Sequence, residues 1–161
     1  MITIDTSTGF GTRITRQLAD ELVLWLTTVG KSGTPAPNPV WFLWNGEQLL
    51  VFSQAGKAKL HNIANNPRVS LNFNATHTGG DVGVFSGDAV IDDKPASDED
   101  LAAYASKYAE GLAGLNLTPG AVPSGLPGAG PDHAGQAPGV LTSGLAATGQ
   151  PATQRDRPTT F

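Results

Sequence analysis

The stretch Pro35-Ala-Pro-Asn-Pro-Val-Trp-Phe-Leu-Trp-Asn-Gly-Glu-Gln-Leu-Leu-Val-Phe-Ser53 reads as a strand, a tight turn and a returning strand. Asn45-Gly46 is a strong hairpin signal, joining a strand over 35–44 to another over 48–53. The prolines at 35, 37 and 39 have no N–H to give to a ladder. The start of this strand therefore belongs at a sheet edge, or at an opening where a ligand lies.

Outward from this hairpin the chain keeps the same rhythm. Leu22–Val29 is an apolar, β-branched run of strand length, followed by a turn at Gly30–Gly33. Before it, Thr12–Glu21 spaces Ile14 and Leu18 four apart among charges, as a short surface helix does. After the hairpin a helix is expected from Lys57 to about Asn65, with Leu60, Ile63 and Ala64 on one face and Pro67 as its stop. Arg68–Phe73 and much of Asp81–Ile91 alternate apolar and polar residues across a Gly79-Gly80 turn. Ser97 followed by Asp98, Glu99 and Asp100 is a helix-capping signature. That helix runs through Leu101, Tyr104, Ala105 and Tyr108 and ends near Gly111 or Gly114. Short strands joined by hairpin turns, without a βαβ rhythm, predict a mainly β protein: an antiparallel barrel with peripheral helices.

Composition divides the chain in two. Residues 1–119 carry the patterned elements. From Gly120 to Gln154 the only charge is Asp132 and no residue is aromatic. Such a segment has too little apolar area to offset its ordering entropy, so 120–161 is expected to be a disordered, low-complexity tail. The 161 residues contain no cysteine, which excludes disulfides and thiolate metal sites and fits a reducing cytoplasm. The N-terminus has no basic segment followed by an apolar run, and no apolar run approaches a membrane span. A net charge of −4, with acids gathered at Asp92–Asp100, disfavours nucleic acid as a partner.

No nucleophile–base pair can be read. His61, His77 and His133 are scattered without metal-ligand spacing, and neither GxGxxG nor the P-loop motif is present. The informative run is Ser53-Gln-Ala-Gly-Lys-Ala-Lys-Leu-His-Asn-Ile-Ala-Asn-Asn-Pro67. A strand ends in a hydroxyl and an amide, a glycine turn follows, and Lys57 and Lys59 open a helix. Lysine is unfavourable at the positive end of a helix dipole. An anion shared between the two lysines and the free N–H groups would explain them; two solvated surface lysines are the alternative. The preceding strand, Asn38-Pro-Val-Trp-Phe-Leu-Trp44, offers aromatic bulk and a donor-poor backbone suited to a flat tricyclic ring.

Three runs together carry a family resemblance: Trp25–Val29, then Gly33-Thr-Pro-Ala-Pro-Asn-Pro-Val-Trp-Phe42, then Ser53 with Lys57-Ala-Lys59 and Asn66-Pro-Arg-Val-Ser-Leu71. The chain to about residue 117 resembles the pyridoxamine 5'-phosphate oxidase-like family, and more narrowly its actinobacterial branch of F420-dependent enzymes. The resemblance implies a six-stranded split β-barrel of the FMN-binding type, paired as a homodimer with cofactor sites at the interface. It implies coenzyme F420, a deazaflavin, as cofactor, with FMN as the alternative. By the same likeness Lys57 and Lys59 hold the cofactor phosphate. Ser53 and Gln54 hold the phosphate and ribityl chain, and Asn38, Pro39, Val40 and Trp41 line the ring. The cofactor carries the hydride to or from a small organic substrate, so no catalytic side chain is assigned. A non-catalytic carrier and an inactive product of a damaged gene are the competing readings.

The family normally closes with an arginine-rich strand, which this chain lacks at the matching place. Residues Thr118–Thr142 can be back-translated, with free choice of synonymous codons, so that removing one guanine after the codon of Pro119 changes the message. The same bases then read EQFRADYPVRVRTTPGRHRGF followed by a stop. The tail 120–161 is accordingly expected to be a frameshifted read-through.

Overall fold

Strand formation begins where side chains alternate. Leu24–Val29 (β1) buries Leu24, Leu26 and Thr28 and leaves Trp25, Thr27 and Val29 half-exposed. Pro35–Val40 (β2) pairs with it antiparallel, Leu26 opposite Asn38. β2 is an outer strand, as its prolines demand. Leu43–Trp44 (β3) and Leu49–Phe52 (β4) form the hairpin around Asn45-Gly46, with Gly46 at φ +98°. The remaining strands are Arg68–Asn72 (β5), Gly83–Asp92 (β6) and Gly139–Gly149 (β7). The helices are Gly9–Asp20 (α1), Ala58–Asn65 (α2), Asp98–Lys107 (α3) and Ala109–Gly114 (α4). The computed structural model describes residues 4–92, 96–114 and 139–149.

All seven strands lie in one antiparallel sheet in the order β2-β1-β5-β6-β7-β4-β3. The outermost strands, β2 and β3, are consecutive in the chain with only Trp41 and Phe42 between them. Three Cα steps span at most about 11 Å, so the sheet curls until its two ends approach at that corner. One face receives α1 through Ile14 and Leu18 and α2 through Leu60 and Ile63. These side chains join Leu26, Phe42, Leu49, Leu71 and Phe85 in the main core. A second cluster sets Tyr104, Tyr108 and Leu112 from α3 and α4 against Leu43, Leu50 and Phe52.

Two expectations change. The six-stranded split barrel becomes a seven-stranded sheet, and no ladder joins β2 to β3 among the described residues. The reason is a side chain distant in sequence: the Phe42 N–H donates to the Tyr108 hydroxyl at 2.8 Å, and that hydroxyl lies 2.9 Å from the Phe42 carbonyl oxygen. Backbone groups taken by a side chain cannot extend a strand, so the predicted 35–44 strand breaks at 41–42. The second change concerns the tail. Residues 139–149, expected to lack structure, form β7 between β4 and β6. The facing edges of those two strands present N–H and C=O groups that need partners, and an uncharged run without proline can supply them. The rest of the tail lies outside the described residues.

Helix boundaries follow their caps. Thr8 accepts from the Gly11 N–H and starts α1 three residues before the expected Thr12. Ser97 accepts from the Asp100 N–H at 3.1 Å, as its signature predicted. The last helix ends early, with Tyr108 as its C-cap, and α4 resumes at Ala109.

Candidate functional site

The end of β4 delivers Ser53 and Gln54 to the rim of a cleft, and Gly56 turns the chain at φ +75° into α2. Lys57 is the N-cap of α2, and its own side chain makes no capping hydrogen bond. Its first N–H groups have no intrahelical partners, and Lys57 and Lys59 stand at that positive end. From the other side β2 supplies Pro39 and Val40, and Trp41 follows at the corner. Together Pro39, Val40, Trp41, Ser53, Gln54, Lys57 and Lys59 line an open cleft of about 270 Å³. Seven of the eight residues expected to bind the cofactor thus meet in one place. Asn38 is not among the walls; it sits on β2 opposite Leu26 with its amide donating to the Ala36 carbonyl at 3.1 Å.

Electrostatics divides the cleft. Burial first, and the neighbouring Lys57 charge second, hold the Lys59 ammonium below the usual lysine range. An anion lying between the two lysines would relieve both effects at once. Ser53 is buried, its hydroxyl 3.3 Å from the Gln54 carbonyl oxygen. The opposite wall is formed by Pro39, Val40 and the half-buried Trp41, with the Val40 side chain turned into the main core. An anion-binding end beside a flat apolar wall can take a planar ring that carries a phosphate.

The support behind Trp41 escaped the sequence reading. Its indole stacks on Tyr108 with ring centroids 4.4 Å apart and planes within 6°. Tyr108 in turn touches Tyr104, which meets Phe52 edge to face. The i, i+4 spacing of Tyr104 and Tyr108 marked a buried helix face, but nothing in it named Trp41 as the partner. Elsewhere, no group of three His, Asp or Glu side chains that could hold a metal occurs among the described residues. No helix among them is long and apolar enough to cross a membrane.

The family model described as Pyridoxamine 5'-phosphate oxidase matches residues 11–127. No curated protein matches the chain. Among solved structures the chain is similar to an F420 reductase, at 22% identity and a TM-score of 0.56, over 79% of this chain and 89% of that one. It is also similar to HutZ, the heme storage protein from Vibrio cholerae, at 19% identity and a TM-score of 0.57, over 83% of this chain and 91% of that one. HupZ of Group A Streptococcus shares 15% identity at a TM-score of 0.52, over 91% of this chain and 100% of that one. At such identities the likeness is one of fold.

Proposed function

The chain belongs to the pyridoxamine 5'-phosphate oxidase family, and on that premise we propose that it binds a flavin-type cofactor in the cleft between β2 and α2. Coenzyme F420 is the first choice and FMN the alternative. The observation that carries the reading is the convergence of Lys57, Lys59 and the N-terminus of α2 with Pro39, Val40 and Trp41 across one cleft. The lysines and helix N–H groups would hold the phosphate, Ser53 and Gln54 the polar chain, and the apolar wall the ring. When bound, such a cofactor supplies hydride transfer to or from a small organic molecule. The protein's share is to bind, orient and exclude water.

The cleft is small for a ring-plus-phosphate ligand, since pockets for such molecules run from roughly 300 to 1,000 Å³. A second copy of the chain completing the site accords with that size, so we read the working unit as a homodimer with two cofactor sites at its interface. A carrier without turnover is the second reading. It is favoured by the lack of any paired acid and base among the cleft residues and by the fold shared with a heme storage protein.

Titration with F420 and with FMN, followed by fluorescence, tests the proposal. Wild type should bind one of them, and the Lys57→Ala/Lys59→Ala double variant should bind at least about tenfold more weakly, because charge-assisted hydrogen bonds contribute about 1.5–3 kcal/mol each. Unchanged binding by that variant refutes the site. Substrate-dependent bleaching of the reduced cofactor separates enzyme from carrier.

We further read residues 120–161 as a frameshifted read-through. Gly139–Gly149 fills a slot between β4 and β6, which on this reading the arginine-rich strand of the restored frame would occupy instead. Resequencing the DNA at the codon of Pro119 decides this; a frame intact as written overturns it.

A further inference from the structure

The tryptophan wall of the cleft is held from behind. Tyr108, itself buried, lies flat against the Trp41 indole. It cannot slide, because its hydroxyl is fixed at three points. It accepts from the Phe42 N–H at 2.8 Å, and its proton is shared between the Phe42 and Leu22 carbonyl oxygens, 2.9 and 2.8 Å away. At the outer edge of the indole sits Gly111. A Cβ there would stand 3.0 Å from Cη2 and 3.3 Å from Cζ2 of Trp41, closer than the 3.5–4.0 Å at which carbon atoms attract. A methyl group at position 111 would require the indole to shift by a few tenths of an ångström.

We propose that Tyr108 and Gly111 are positioning residues that set the tilt of the Trp41 indole in the cleft, and so decide which flat ring the cleft admits. The inference rests on the reading of the cleft as a flavin-type site. One face of the indole is taken by Tyr108 and one edge by Gly111, which leaves only the remainder to a ligand. Ring–ring contact depends strongly on offset and angle, so a change of tilt alters ring binding. The phosphate contacts are carried by α2, a different element, and should not respond.

Gly111→Ala separates these effects. Affinity for whichever of FMN and F420 the wild type binds should fall roughly three- to tenfold, the range of one aromatic contact, while competition by inorganic phosphate stays unchanged. The near-ultraviolet circular dichroism band of Trp41, identified by its loss in Trp41→Phe, should shift. Equal affinity of wild type and Gly111→Ala for the bound cofactor overturns the inference, as does an equal loss of phosphate competition. If wild type binds neither cofactor, the functional reading fails and the band alone judges the positioning: a shift supports it and an unchanged band overturns it. Should Gly111→Ala not fold, the Trp41→Phe/Gly111→Ala double variant should fold again, because a phenyl ring does not reach position 111. Failure of that rescue also overturns the inference.

Discussion

Lys107 holds its ammonium 3.8 Å from the centre of the Phe42 ring and donates to the Leu18 carbonyl near the end of α1. Burial pulls its pKa down from 10.5 to about 8, against the opposing pull of Asp20 and Glu21. The folded chain therefore releases this proton at lower pH than the unfolded chain does. The protonated form weighs on the fold at neutral pH, and the weight lifts as pH rises from about 8 towards 10.5. Burial pushes the Tyr104 and Tyr108 hydroxyls the other way, well above their usual 10.0. Above that pH the unfolded chain ionises them first and stability falls. The urea midpoint should thus climb from pH 8 to about 10 and drop beyond. Lys107→Met should remove part of the climb, Lys59 supplying the rest. Lys59 has its own signature: affinity for the phosphate-bearing cofactor should decline with rising pH at a point below the ordinary lysine value, which a pH series of the titration reads. Packing sets a third test. A Cβ at Gly83 would collide with Ile14 Cδ1 where α1 lies on β6, so Gly83→Ala should cost about 1–3 kcal/mol in denaturant unfolding.

Among elements, the corner between β2 and β3 depends on one hydroxyl borne by the C-cap of α3. Tyr108→Phe keeps the ring but leaves the buried Phe42 N–H without its partner. It should lower the free energy of unfolding by about 1–3 kcal/mol, measured in urea. Most elements were legible beforehand because their signals are local: Asn45-Gly46 for the hairpin, Ser97 for a cap, Pro67 for a stop, alternation for β5 and β6. The break at 41–42 was not legible. Trp41 and Phe42 continue an apolar run in sequence, and the group that interrupts their strand lies 66 residues away. The candidate site was read for the same local reason, since Ser53 to Lys59 is a single strand end, turn and helix start. Tyr108 and Gly111 were missed because their role is contact with Trp41 across the fold.

For the whole molecule, β7 joins two parts of the sheet that no other ladder connects among the described residues. Without it the sheet order falls into β2-β1-β5-β6 and β4-β3, with the edges of β4 and β6 unpaired. A chain ending before Gly139 should melt lower and scatter light on heating, because exposed strand edges template association. Composition argued against structure in the tail, since Gly139–Gly149 has little to bury. Yet a strand between two others is held by main-chain hydrogen bonds, which composition does not report. The sequence by itself determined the local elements, the hairpin-based β architecture and the two lysines at a helix start, because each follows from neighbours within a few residues. The tertiary structure alone decided that β2 faces α2 across one cleft, that Tyr108 and Gly111 hold Trp41 there, and that 139–149 enters the sheet. Those outcomes depend on which distant groups satisfy one another's hydrogen bonds and fill one another's space.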